Sequence, residues 1–112
     1  MASFYKLDSA TIDQTVSQKS PGIYALDRTI TPGFKVNYIG RADDDVAKRL
    51  KTWAAEGYYK YFLFEYHSTA RAAFERECHL YHFYPNLDNL IHPARPENTL
   101  YLCPVAGCRA LR

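Results

Sequence analysis

The chain has 112 residues, 47% hydrophobic and 23% charged, which is enough for one core and one domain, and its 15% aromatic share argues against disorder. A formal net charge of +2 excludes the strong basic field that holds nucleic acid indiscriminately, so any anion binding has to come from local clustering. The sequence lacks a run of about 18 apolar residues and an export-type leader, which predicts a cytoplasmic protein with no membrane span. Three cysteines, an odd number, fit free thiols or metal ligands in a reducing compartment better than a closed disulfide framework.

Residues 1–20 read as a polar N-terminal extension in which Asp8 or Ser9 caps a short helix carrying Ile12 and Val16. A core of residues 21–90 follows. Ile23-Tyr24-Ala25-Leu26 predicts a strand, Thr31-Pro32-Gly33 a turn, and Phe34 to Ile39 a second strand, the pair forming an antiparallel hairpin. Asp43-Asp44-Asp45 offers a helix N-cap, and Val46, Leu50, Trp53 and Ala54 fall on one helical face before Gly57 stops the helix. Tyr61 to Tyr66, with aromatic residues on both faces, predicts a strand covered on both sides. Ser68 or Thr69 caps a second long helix that ends before Pro85, and residues 91–112 form an irregular tail in which Pro93, Pro96 and Pro104 disfavour regular elements. The fold class expected is α/β (α+β): a small three-stranded mixed or antiparallel sheet flanked by helices.

One carboxylate is out of place. On the second long helix Ala73, Phe74, Leu80, Tyr81 and Tyr84 form an apolar stripe with Glu77 at its centre, whereas Glu75 lies on the polar side. Burying an unpaired carboxylate costs several kcal/mol, so Glu77 faces a cleft, meets a cation or coordinates a metal; a buried ion pair with an arginine is the plainer alternative. Four residues apart on the same helix, Cys78 and His82 share a face turned away from Glu77. Together with Cys103 and Cys108 in the tail they can complete a tetrahedral structural zinc site, with His92 as a substitute ligand. Alternatively Cys78 is a small core residue, His82 bonds a backbone carbonyl and the thiols are free. His67 and His79 read as surface residues.

Gly22-Ile23-Tyr24, Tyr38-Ile39-Gly40, the helical Lys48-Arg49-Leu50, Ala73-x-x-x-Glu77 and Asn89 occur in that order, and from about Pro21 to Asn89 the chain resembles the GIY-YIG nucleases. The resemblance implies an endonuclease that hydrolyses DNA phosphodiester bonds to 3′-hydroxyl and 5′-phosphate ends, with one Mg2+ (or Mn2+) on Glu77. It implies Tyr38 as the base or orienter of the attacking water, and Tyr24 as a second tyrosine bonded to Tyr38, the water or a phosphate oxygen. Arg49 corresponds to an arginine that grips the phosphate, Arg41 adds a second phosphate contact, and Asn89 braces the site. Lys48 is the alternative to Arg49 because the alignment leaves one residue of slack. Gly22 and Gly40 then allow close packing beside the site, or are simple turn glycines. Outside the resemblance each of these residues has a plain reading: half-buried strand tyrosines, a snorkelling arginine, a turn-capping asparagine.

DNA is therefore the expected partner, with RNA left open and a partner protein supplying specificity. Two other functions stay open on the same residues. One is a catalytically weak nucleic-acid-binding module of this fold; the other is a metal-stapled interaction domain. Oligomeric state is not read from the sequence.

Overall fold

A computed structural model describes residues 3–29 and 33–110. The order is β1 (Tyr5–Lys6), α1 (Ser9–Thr15), β2 (Gly22–Asp27), β3 (Tyr38–Ala42), α2 (Val46–Glu56), β4 (Tyr61–Tyr66) and α3 (Ala70–Phe83). Among the described residues the four strands form one sheet in the order β1-β4-β2-β3, with every neighbouring pair antiparallel. This α+β domain has one strand more than the sequence predicts. The extra strand, β1, is two residues long and pairs Tyr5 with Phe62 and Lys6 with Tyr61, too short to leave an alternating pattern.

Residues read as an N-terminal extension join the core. Asp8 accepts the Thr11 backbone N–H at 2.7 Å to cap α1, and Leu7, Ile12 and Val16 are buried with Tyr24, Leu26, Val46, Leu50 and Phe62. The predicted hairpin is present with Tyr24 opposite Gly40, but its second strand begins at Tyr38 rather than Phe34. Side chains take over the ladder before that point. Asp27, 1% exposed, accepts the backbone N–H groups of Thr29 and Lys35 and the Thr29 hydroxyl, and Asn37 Oδ1 accepts the Arg28 N–H at 2.9 Å. Thr31 and Pro32 of the predicted turn lie outside the described residues; Gly33 has φ +85°.

Both long helices start and stop on the predicted signals. Asp45 and Thr69 accept the backbone N–H groups of Lys48 and Ala72, Gly57 closes α2 at φ 74°, and α3 ends at Phe83 ahead of Pro85. Along β2 the side chains alternate, Tyr24 and Leu26 toward α1 and α2, Ile23 and Ala25 toward Ile39, Leu63, Ala73 and Leu80. The sheet is thus sandwiched, with α1 and α2 on one face and α3 on the other. Strand β4 is covered on both sides as expected, Phe62 facing one cluster and Leu63 the other. No described helix is long and apolar enough to cross a membrane.

Candidate functional site

Edge strand β3 organises the site because alternate residues present opposite faces. Tyr38 and Gly40 look toward α2, while Arg41 looks toward α3. Tyr24, Tyr38, Arg41, Arg49, Glu77 and Asn89, all singled out in the sequence, line one cleft of about 240 Å³, closed on its far side by Ile91, His92, Pro93 and Ala94. Of the two alternatives for the helical cation, Arg49 lines the cleft and Lys48 does not.

Glu77 lies on the buried face of α3 with Ala73, Phe74, Cys78 and Leu80, and is only 7% exposed. Its Oε1 accepts a hydrogen bond from Arg41 Nη1 at 2.9 Å, so the ion-pair alternative is realised within the cleft. Burial nevertheless lifts its pKa from 4.5 to about 7, with Arg41 pulling the other way and Asp43 adding to the rise. The Arg41 and Arg49 guanidinium groups offset only part of that rise. Its Oε2 makes no hydrogen bond to the described residues.

Arg41 is more deeply committed than a phosphate-gripping residue. Its Nε bonds Asp43 at 2.6 Å, its Nη1 is shared between Glu77 and the Ala94 carbonyl at 2.7 Å, and the guanidinium lies 5.4 Å from the Phe74 ring centroid. It acts as a clamp joining α3 to the tail. The cation left facing the cleft mouth is Arg49, exposed on α2 and in hydrogen-bond and charge contact with Tyr24.

The two tyrosines differ. Tyr24 is 1% exposed, and its hydroxyl accepts from Trp53 Nε1 at 2.8 Å rather than bonding Tyr38. Burial drives its pKa up to about 12, against the opposing pull of the Trp53 bond and of Arg49. Tyr38, half-buried, stacks against Trp53 and Tyr59 with ring centroids 4.9 and 5.9 Å away. Its pKa is raised by burial first and by the Glu77 charge second, with Arg49 opposing. Both phenols therefore rest in the neutral form.

The motif glycines serve close approach. A Cβ on Gly40 would stand 2.2 Å from Cζ of Tyr24, and one on Gly22 would stand 2.3 Å from the carbonyl oxygen of Glu65. The first glycine seats the Tyr24 ring; the second lets β2 lie against β4. Asn89 bonds both backbone groups of Ile39: Oδ1 accepts its N–H at 3.0 Å and Nδ2 donates to its C=O at 2.8 Å. One side chain thereby substitutes for a neighbouring strand on the free edge of β3, between Tyr38 and Gly40.

The metal-ligand prediction needs a correction. His82, His92, Cys103 and Cys108 each bring one nitrogen or sulfur within 4.8 Å of all the others, a set that can hold a metal such as zinc. Cys78 is not in that set and His92 takes its place. One turn before His82, Cys78 is fully buried beside Phe74, and its thiol is hydrogen-bonded to Cys103 while desolvation holds its pKa well above the usual thiol range. The set also adjoins the cleft rather than facing away from it, since His92 lines both.

Three contacts went unnoticed in the sequence: Trp53 with Tyr24, Asp43 with Arg41, and residues 91–94 with the cleft. Trp53 on the apolar face of α2 offered the clearest signal, because a buried indole N–H seeks an acceptor. His67, expected at the surface, is half-buried and bonds Glu65, which also takes two bonds from Arg76 at 3.1 and 3.2 Å. No family model, curated protein or solved structure matches the chain.

Proposed function

We propose that the chain is a GIY-YIG-type endonuclease that hydrolyses DNA phosphodiester bonds using one divalent cation, Mg2+ or Mn2+, on Glu77. The observation carrying this reading is the convergence of six residues, named from the family resemblance, from β2, β3, α2, α3 and the loop after α3 onto one cleft of about 240 Å³. Glu77 would hold the cation: its carboxylate is buried at the cleft with only Oε1 taken by Arg41, and a magnesium ion binds through one such carboxylate while keeping most of its water. Once bound, such an ion stabilises the charge on the phosphoryl oxygens.

The chain's own residues divide the remaining work. Arg41 holds Glu77 in place, and Arg49 at the cleft mouth contacts a non-bridging phosphate oxygen. Tyr38 orients the attacking water and accepts its proton. Burial is the larger cause of the raised Tyr38 pKa and the Glu77 charge the second, so neutralising Glu77 eases that step, as does Arg49. Water oxygen forms a bond to phosphorus, the bond from phosphorus to the 3′ oxygen breaks, and that oxygen takes a proton from solvent, which gives a 3′-hydroxyl and a 5′-phosphate; Tyr38 returns its proton to solvent. Tyr24, fixed by Trp53, packs the floor beneath Gly40.

A specific observation favours a second reading. Arg41 already occupies Oε1 of Glu77 and both phenols rest neutral, as suits a binding module of the same fold with little turnover. Incubation with linear, nicked, flap, branched and single-stranded DNA, and with RNA, with and without Mg2+, separates the two. The nuclease gives magnesium-dependent cuts with 5′-phosphate ends; binding without any cut supports the module.

A further inference from the structure

We infer that His82, His92, Cys103 and Cys108 bind one Zn2+, and that this ion pins residues 91–94 as the wall of the Glu77 cleft. Three of the six ligand-to-ligand spacings match the edges of a zinc tetrahedron, and all four donor atoms lie within 4.8 Å of one another. With zinc–nitrogen bonds of about 2.0–2.1 Å and zinc–sulfur bonds of about 2.3 Å, tetrahedral edges are about 3.3 Å for nitrogen to nitrogen and about 3.6 Å for nitrogen to sulfur. His82 Nε2 lies 3.3 Å from His92 Nε2 and 3.5 Å from Cys103 Sγ, and Cys108 Sγ lies 3.4 Å from His92 Nε2.

The surroundings orient the ligands. His92 Nδ1 is 2.9 Å from the Pro93 carbonyl oxygen, which can only accept, so that nitrogen carries the hydrogen. In the neutral ring Nε2 therefore presents a lone pair to the other three ligands. The Cys78 thiol bonds Cys103 from the buried side, the kind of second donor that steadies a metal-bound thiolate. Between the two tail cysteines, Gly107 at φ 84° permits the turn in which the Cys108 N–H bonds the Val105 carbonyl at 3.2 Å. Two nitrogens and two sulfurs in a closed tetrahedron select zinc over the oxygen-seeking cations and leave no open position for a substrate.

The consequence reaches the cleft because His92 is followed directly by buried Pro93 and by Ala94, whose carbonyl accepts from the same Arg41 Nη1 that holds Glu77. Residues 85–110 contain no helix or strand, so few local bonds would keep this segment in place without the ion. Two cations of different chemistry thus serve one site: zinc builds its wall, and the reaction uses another.

The test uses the full chain, purified reduced and without chelator, and needs no nucleic acid. One zinc per chain is expected by elemental analysis, and cobalt replacement should give the intense visible bands of a tetrahedral site together with thiolate-to-cobalt charge transfer. Cys108→Ser or His92→Ala should lose the zinc, while Cys78→Ser should retain it with affinity weakened by no more than about 10–100-fold. Because ligand variants can misfold, the wild-type chain is also stripped and reloaded with zinc while its backbone amide resonances are followed by NMR. Stripping should shift or broaden the resonances of Ile91, His92, Ala94 and Arg95, and reloading should restore them. The inference is overturned by a reduced wild-type chain that binds neither metal, by loss of zinc in Cys78→Ser with retention in His92→Ala, or by resonances of 91–95 that ignore zinc. None of these results depends on cleavage, so the nuclease reading stands or falls separately.

Discussion

Replacing Glu77 by glutamine should change stability in a way that depends on pH. Burial holds the Glu77 pKa near 7 in the folded chain against 4.5 as the ordinary value. The folded state thus binds this proton more tightly than the unfolded state, so the associated stability is complete below about pH 4.5 and is lost as pH rises through about 7. That displacement corresponds to about 3 kcal/mol between the ends of the window. Glutamine does not titrate, has nearly the same shape and can still accept from Arg41, so any cost of the weakened contact, about 1–3 kcal/mol, is the same at every pH. Urea melts of both proteins from pH 4.5 to 8, without added divalent cation, should show the variant gaining on the wild type by about 3 kcal/mol. Added Mg2+ at pH 8 should then stabilise the wild type alone, since only an ionised carboxylate gives the ion a ligand. A difference that stays flat across the range would mean that Arg41 fully compensates Glu77 and that the cleft has no need of a second cation.

Gly40→Ala should push the Tyr24 ring off its seat and break the Trp53 bond, costing about 1–3 kcal/mol, whereas Gly22→Ala drives a methyl group into the Glu65 backbone and should cost more. Urea melts give the order, and the reverse order would contradict the packing described. Asn89→Ala removes two bonds to Ile39 and should cost about 2 kcal/mol, with faster hydrogen exchange at Ile39 as its local signature. Arg49→Ala removes the bond to Tyr24 and should cost about 1 kcal/mol of stability while slowing cleavage about 100-fold; a rate loss no larger than the stability loss would make Arg49 a structural residue.

Most of the cleft was legible because its parts sit at element boundaries that the sequence marks strongly: glycines opposite aromatics, aspartate and threonine caps, and one acidic residue on an apolar stripe. Helical spacing alone put Glu77 on the buried face. At Arg41 spacing gave the position but not the partners: Asp43 is two residues away and Ala94 belongs to a tail with no periodicity to read. Among the zinc ligands His82, Cys103, Cys108 and the substitute His92 were named correctly and only Cys78 was not. Cys78 and His82 do share a helix face, but which thiol reaches the tail depends on depth of burial and on the path of an irregular segment, and His92 reaches it instead. Strand β1 and the late start of β3 were missed because both are set by tertiary contacts, pairing with β4 in one case and the Asp27 and Asn37 side chains in the other.

Cleavage by Glu77→Gln measured beside its DNA affinity is the most direct examination of the proposed chemistry. If the buried carboxylate holds the cation at the scissile phosphate, the variant should nick DNA at least about 1,000-fold more slowly in saturating Mg2+ while binding the same DNA within a few-fold of wild type. Cleavage at the wild-type rate, with the fold intact, would show that hydrolysis does not pass through this carboxylate.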